Sequence, residues 1–169
     1  QTEETNPQTD SLLQFKIYLE QARISRFKAD TLEEKRALEE AEKMARFLND
    51  SASYADLWQE KALYFLPQNP EKAKEYFQKA LTYMASGTLT ATVHNELYLS
   101  RIYLEQGQAD SAFHYVDNAI HNNLSHKETP ILHLQKGYIF ASLLQADSAV
   151  HYILPILPNV SLKQRTEAY

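Results

Sequence analysis

Residues 108–115 read Gln-Ala-Asp-Ser-Ala-Phe-His-Tyr, and residues 145–152 read Gln-Ala-Asp-Ser-Ala-Val-His-Tyr. The two phrases differ only at the sixth position, and the second begins 37 residues after the first. A repeat period between about 20 and 50 residues is typical of proteins that stack one structural unit on the next. The duplication therefore predicts a repeat protein, an architecture suited to a binding scaffold.

The composition favours α-helix over β-sheet. The 169 residues include only three glycines, whereas Leu, Ala, Glu, Gln and Lys, which favour helix, are abundant. Proline, asparagine, aspartate and serine divide the chain into segments of helical length, and no segment has the pattern of a strand. The sequence predicts an all-α fold of about four antiparallel helix pairs, which cover residues 11–48, 53–85, 89–123 and 129–157.

The two ends of the chain have different predicted roles. Residues 1–10 are polar and too poor in large apolar side chains to order themselves, so they are predicted to form a tether. Residues 11–169 form the predicted helical repeat domain, in which 161–169 begin a further helix. The chain starts at Gln1, as expected after removal of a signal peptide or of an upstream lipid-anchored leader. An arbitrary chain boundary is the other interpretation.

Several helix ends are predicted from their residues. Asn69 followed by Pro70 is a strong start signal, because asparagine caps free backbone N–H groups and proline tolerates the first helical position. Gly107 suits the end of the fifth helix. In the duplicated phrase, Asp110 or Ser111 is expected to cap the sixth helix, and the His-Tyr end is expected to face outward or toward the next repeat.

Small residues recur where paired helices are expected to touch. When the third and fourth pairs are aligned on the duplicated phrase, Ser100 falls on Gly137, and Ala112 falls on Ala149. Two helices approach closely only where the facing side chains are small, and larger apolar residues one turn away fill the flanking space. These four positions are therefore predicted helix–helix contacts.

This pattern resembles the tetratricopeptide repeat family. In that family a small residue of the first helix is followed three positions later by an aromatic one, and alanines recur around a large residue on the second helix. The matching residues are Ala62 with Phe65, Ser100 with Tyr103, and Gly137 with Phe140 on first helices, and Ala73, Phe77 and Ala80 on a second helix. The resemblance covers residues 54–157. It implies a right-handed α-α superhelix, a solenoid whose concave face is built from the first helix of each pair.

The sequence also departs from the family pattern. The period of 37 residues exceeds the family period of about 34, so the inter-repeat loops are longer. Glu96 and His133 stand where an aromatic residue or leucine usually starts the first helix, and Ile156 stands where alanine is expected. These departures leave the fold prediction intact but remove any inference about a particular known ligand.

The resemblance implies a groove that binds an extended peptide or a partner helix. The positions that face this groove in the family fall on two predicted helices of this chain. They are His94, Leu97, Tyr98 and Arg101 on one helix, and Ile131, Leu134, Gln135 and Tyr138 on the other. In this interpretation Arg101 anchors an anion, and Tyr98 and Tyr138 are aromatic anchors, because Arg and Tyr are common at binding hot spots. The alternative is that some of these side chains pack against the neighbouring repeat and the others face solvent.

No catalytic site, metal site or cofactor is predicted. The chain has no cysteine, no glycine-rich phosphate loop and no nucleophile elbow. His114, Asp117 and His121 share one helix face and could ligate a metal, but the interpretation we favour is a polar outer face. The net charge of −5 argues against nucleic-acid binding, and no apolar run is long enough to span a membrane.

The sequence therefore predicts a non-catalytic scaffold that binds a protein or peptide partner in the groove. A homo-oligomerisation module, most simply a homodimer, and a small-molecule-binding helical sensor are the alternatives. The amino-acid composition of the repeats, rich in Tyr, Gln and Asp-Ser-Ala, resembles that of the repeat domains of bacterial sensors and lipoproteins. That resemblance implies a periplasmic or cell-surface location in a larger signalling or lipoprotein chain, with a cytoplasmic location as the alternative.

Overall fold

The computed structural model describes residues 7–84 and 89–159. No β-strand occurs in these two ranges, which hold eight α-helices and a short 3₁₀ helix at Leu154–Asn159. The α-helices are α1 (Pro7–Phe27), α2 (Thr31–Leu48), α3 (Ser51–Phe65), α4 (Pro70–Tyr83), α5 (Leu89–Glu105), α6 (Ala109–Asn122), α7 (Thr129–Ser142) and α8 (Ala146–Ile153). The prediction of an all-α chain is confirmed.

The helices pack as consecutive pairs, α1 with α2, α3 with α4, α5 with α6, and α7 with α8. Three or four residues join the two helices of each pair, so the two helices must run antiparallel. The predicted single repeat domain divides into two compact units, residues 1–87 with the first two pairs and residues 88–169 with the last two.

Residues 7–10 of the predicted tether are helical, because α1 begins at Pro7 and they form its first turn. The remainder of the predicted tether, residues 1–6, and the predicted further helix at 161–169 lie outside the described residues. Within the described ranges, none of the helices combines the length and apolar character that crossing a bilayer requires.

Short polar side chains start three helices of the first unit. The side-chain oxygens of Asp30, Asp50 and Asn69 accept hydrogen bonds from the backbone N–H three residues later, at 3.0, 2.8 and 3.1 Å. Each bond satisfies a donor that has no partner inside the helix. Pro70 occupies the first turn of α4, so the predicted start of that helix is confirmed.

Three pairs share one kind of tight turn. Its central residue has a left-handed backbone, with φ of 58° at Ala29, 73° at Gly107 and 57° at Leu144. In the α5–α6 turn, Gln108 N–H donates to Tyr103 C=O at 2.9 Å, and the equivalent bonds close the other two turns. This is the Schellman arrangement that commonly ends helices, and it favours glycine because a Cβ is strained there.

The predicted cap of the sixth helix at Asp110 or Ser111 is wrong. The helix begins at Ala109, and the flanking Gln108 has no capping side-chain hydrogen bond. The turn at Gly107 leads the chain into the helix after one intervening residue, so Asp110 already lies in the first turn. Its carboxylate there complements the positive end of the helix dipole. Gln145 takes the same place before α8.

The small residues make the predicted close contacts between paired helices. Ser100 and Ala112 are fully buried, and Ser100 Oγ donates to the Ala112 carbonyl at 2.9 Å. At Gly137 a Cβ would lie 2.5 Å from Cγ1 of Ile153, so no larger residue fits without displacing that side chain. Ala149 is also buried.

An aromatic stack recurs inside three pairs. Phe65 lies on Tyr76, Tyr103 on Tyr115, and Phe140 on Tyr152, with centroid distances of 5.5, 5.3 and 5.5 Å and interplanar angles of at most 16°. The tyrosine of the duplicated phrase therefore packs within its own pair, and the expectation that it faces outward is wrong. The phrase histidines, at positions 114 and 151, are exposed as expected.

A buried charge network joins three helices of the first unit. The Glu60 side chain is 3% exposed. Arg23 Nε donates to Glu60 Oε1, and Arg26 Nε donates to Glu34 Oε1, each at 2.7 Å. Arg26 Nη2 lies 2.9 Å from Glu60 Oε2 as an ion pair and donates to the Glu60 carbonyl at 3.2 Å. Buried carboxylates are tolerable only when paired in this way.

Candidate functional site

A cleft of about 290 Å³ lies between α5 and α7, the first helices of the two pairs in the second unit. One wall comes from α5 and the other from α7. Its lining residues are Arg101, Leu104, Glu105, Ile131, Leu134, Gln135 and Tyr138. The cleft combines positive, negative and neutral polar groups with apolar surface.

Five of the eight predicted groove residues line this cleft, namely Arg101, Ile131, Leu134, Gln135 and Tyr138. The other three lie elsewhere. Leu97 is buried in the core of the second unit. His94 Nε2 lies 3.5 Å from Glu128 Oε1. Tyr98 lies beside Arg101, whose guanidinium carbon is 5.9 Å from the tyrosine ring centre.

Gln135 has a structural task at the base of the cleft. It is 4% exposed, and its Nε2 donates to Ser100 Oγ at 3.3 Å. The Ser100 hydroxyl in turn donates to the Ala112 carbonyl. This chain of hydrogen bonds holds α7 against the α5–α6 pair, so Gln135 fixes the width of the cleft more than it offers a contact to a ligand.

Arg101 and Tyr138 are the two side chains of the cleft best placed to bind a partner. Tyr138 is 53% exposed, and its ring has no ring partner among the residues that the structure describes. Arg101 is partly exposed and forms no ion pair with a carboxylate of the described ranges. One wall of the cleft thus offers an accessible cation and the other an accessible aromatic ring, and Arg and Tyr are both residue types that often dominate binding energies.

Leu104 and Glu105 belong to the cleft but were absent from the predicted set. They lie three and four positions after Arg101, and residues at those spacings share one face of a helix. This spacing was the available signal. Glu105 places a negative charge at the same wall as Arg101, so the cleft is electrostatically mixed.

The residues considered for metal binding have other partners. Asp117 Oδ1 accepts a hydrogen bond from Lys136 Nζ at 2.6 Å. His114 Nε2 lies 3.2 Å from Asn118 Nδ2. In the part of the chain that the structure describes, no group of three histidine or acidic side chains is placed to hold a metal ion.

Glu96 is a buried carboxyl group outside the cleft. It is 6% exposed, and Asn122 Nδ2 donates to both carboxylate oxygens at 3.2 and 3.0 Å. Burial raises the pKa of Glu96, and the Asn122 hydrogen bonds and the nearby His114 and His121 offset part of that rise. Glu96 stands where the repeat pattern has an aromatic residue or leucine, and the side-chain amide of Asn122 on α6 is the hydrogen-bond partner of its buried carboxyl group.

No protein-family model matches the chain, and no curated protein matches it significantly.

Proposed function

We propose that this chain is a non-catalytic scaffold of tetratricopeptide-like helix pairs, whose second unit binds an extended peptide segment of a partner protein. The observation that carries the proposal is the cleft between α5 and α7, which is lined by five of the eight residues predicted from the sequence as groove positions. The first helices of successive pairs form its walls, the surface that the family resemblance implies for ligand binding.

The chemistry of the cleft defines the peptide. The accessible guanidinium of Arg101 favours a carboxylate, since charge-assisted hydrogen bonds to arginine are strong and can be bidentate. Tyr138 and Leu134 on the opposite wall favour an aromatic or long aliphatic side chain. We therefore propose a peptide with one acidic residue followed or preceded closely by a large apolar residue.

The wider setting is also a proposal. The resemblance of the repeats to those of bacterial sensors and lipoproteins supports a periplasmic or cell-surface scaffold within a longer chain. A carboxylate-bearing peptide from a neighbouring protein would be its ligand, and no reaction would take place in the cleft.

Panning a phage-displayed library of random peptides against the full chain tests the proposal. Enriched peptides are synthesised with a fluorescent label, and their affinities are measured by anisotropy. We expect an acidic and a large apolar residue in the enriched peptides, and we expect Arg101→Ala and Tyr138→Ala each to weaken binding at least about tenfold, or about 1.4 kcal/mol.

Two matched controls lie on the same unit outside the cleft. Lys127 and Leu124 are exposed in the loop between α6 and α7, so Lys127→Ala and Leu124→Ala should leave the affinity unchanged. Peptides that bind the Arg101 and Tyr138 variants as tightly as the original chain would place the binding site elsewhere. Failure to enrich any peptide would remove the proposal.

A further inference from the structure

The outer face of α1 exposes a row of large apolar side chains. Leu13, Ile17, Ile24 and Phe27 are 59%, 41%, 52% and 93% exposed. The opposite face of the same helix is buried in the core of the first unit through Phe15, Leu19 and Ala22. A soluble amphipathic helix normally needs only one apolar face, so the second face of α1 requires its own explanation.

The exposed residues follow a heptad spacing. From Leu13 the row continues at Ile17, Glu20, Ile24 and Phe27, steps of four, three, four and three residues. This alternation keeps one face of a helix toward a helical partner, as in a coiled-coil seam, and four of the five positions here are apolar. Isoleucines take the a positions, and Leu13, Glu20 and Phe27 take the d positions.

The residues beside the seam are basic or neutral. Lys16 and Arg23 lie along one side, Gln14 and Gln21 lie along the other, and Lys28 continues that second side directly after the last helical residue. Arg23 already pairs with Glu60 and Glu20, but Lys16 and Lys28 are exposed and form no ion pair with a carboxylate of the described residues. Flanking charges of a coiled coil select the partner and its orientation.

These flanks argue against a second copy of this chain as the occupant. In a parallel pair the residue at one flank faces the opposite flank of the partner, which would bring Arg23 close to Lys28. In an antiparallel pair Lys16 and Arg23 would face each other. Both arrangements place like charges together, which is unfavourable.

We propose that the outer face of α1 binds an amphipathic helix of another protein, with apolar residues at its own a and d positions and acidic residues at its flanks. A lysine or arginine of that helix opposite Glu20 would complete the seam. This surface belongs to the first unit, and the proposal does not depend on the peptide-binding cleft of the second.

Two synthetic helical peptides of about three heptads, long enough to form a helix, test the proposal on the full chain. Both peptides have leucine and isoleucine at the a and d positions, except for one lysine at the position that would face Glu20. One peptide has glutamate at every flanking position, and the matched peptide has lysine there. We expect the glutamate peptide to bind at least tenfold more tightly by fluorescence anisotropy at low salt, with the preference reduced as salt increases.

Two variants locate the binding surface. The double substitution Leu13→Ser with Ile17→Ser should weaken binding of the glutamate peptide at least tenfold, whereas Leu124→Ser, at an equally exposed leucine of the second unit, should not. Lys16→Glu combined with Lys28→Glu should reverse the preference between the peptides. Circular dichroism verifies that each variant keeps its helices.

Several results would overturn the proposal. Equal affinity for the two peptides, or binding that survives both seam variants, would exclude charge-selected docking on α1. Binding of neither peptide would exclude a helical partner of this chemistry. Sedimentation that shows a dimer of this chain, abolished by Leu13→Ser with Ile17→Ser, would make a second copy the occupant instead.

Discussion

Position 144 has a leucine where the preceding pair has Gly107, and both residues adopt a left-handed backbone, with φ of 57° and 73°. A left-handed L-residue costs about 1–2 kcal/mol because its Cβ crowds the carbonyl oxygen. Leu144 is 93% exposed, so it gains no burial that would offset this strain. The same turn is therefore unstrained at Gly107 in one pair and strained at Leu144 in the next.

Leu144→Gly is expected to raise the free energy of unfolding by about 0.5–1 kcal/mol. The relief of strain exceeds the extra freedom that glycine has in the unfolded chain, which is worth about 0.5–1 kcal/mol. Urea unfolding followed by far-UV circular dichroism measures the change. The reciprocal variant Gly107→Leu should destabilise, and a stabilising effect there or a loss in Leu144→Gly would refute the turn argument.

Glu96 shows how one residue makes the stability of the folded protein depend on pH. Burial raises its pKa in the folded protein above the value of about 4.3 expected for an unfolded chain. The folded state therefore favours the protonated carboxyl. This contribution to stability is complete below pH about 4.3 and is lost as the pH rises through the folded-state pKa.

Glu96→Gln should consequently gain stability over the original chain as the pH increases from about 4 to 7. The amide stays neutral and still offers an oxygen to the Asn122 donor. Urea unfolding at a series of pH values measures the difference, and Glu105→Gln, at an exposed position of the same helix, controls for a generic loss of negative charge. A difference that is constant with pH would contradict the assignment.

At the scale of helices, the distance between the two helices of a pair is determined by small residues at their contact and not by the most hydrophobic residues. Gly137 on α7 lets Ile153 of α8 approach closely. The Cγ1 atom of Ile153 lies only 2.5 Å from the place that a Cβ at position 137 would occupy. The aromatic stack of Phe140 on Tyr152 lies on the same two helices. Close approach at one turn and ring stacking at the next fix the relative position of α7 and α8.

Gly137→Ala tests this contact, because two effects oppose each other. Alanine favours helix over glycine by about 1 kcal/mol, whereas overpacking against Ile153 costs about 1–3 kcal/mol. We expect net destabilisation of about 1 kcal/mol in the original chain and a gain of about 1 kcal/mol when Ile153→Ala has first made room. Urea unfolding of the four proteins in this double-mutant cycle measures the coupling, and additive changes would exclude the contact.

At the scale of the whole molecule, each unit has a core of its own. The core of the first unit joins α1, α2 and α3, with Phe15, Leu38 and Leu57 among its buried residues. The core of the second joins α5, α6 and α7, with Val116 and Ile139 among its buried residues. A compact unit with a separate core has what it needs to fold alone.

The fragment of residues 1–87 is accordingly expected to be helical and to unfold cooperatively. Trp58, the only tryptophan of the chain, lies in α3 and reports this transition by fluorescence. The fragment of residues 1–48, a single helix pair, should be largely unfolded because one pair cannot bury its apolar face. A gradual, non-cooperative transition in the longer fragment would show that its core does not suffice.

Local features of this chain followed from its sequence alone. The helix start at Asn69 and the turn at Gly107 depend on residues within a few positions of one another. The close contacts at Ser100 and Gly137 were also predictable, because the duplication shows the same small position twice. Only tertiary structure decided that Gln135 closes the base of the cleft.

Tertiary structure also decided three further features. Tyr115 stacks on Tyr103, Glu60 is paired with arginines 34 and 37 residues earlier, and the apolar residues on the outer face of α1 are exposed. The physical reason is that side-chain direction and burial depend on how the helices pack on one another, both within a pair and between pairs. The repeat pattern fixes which residues share a helix face, but it does not fix which of those faces meets a neighbouring pair.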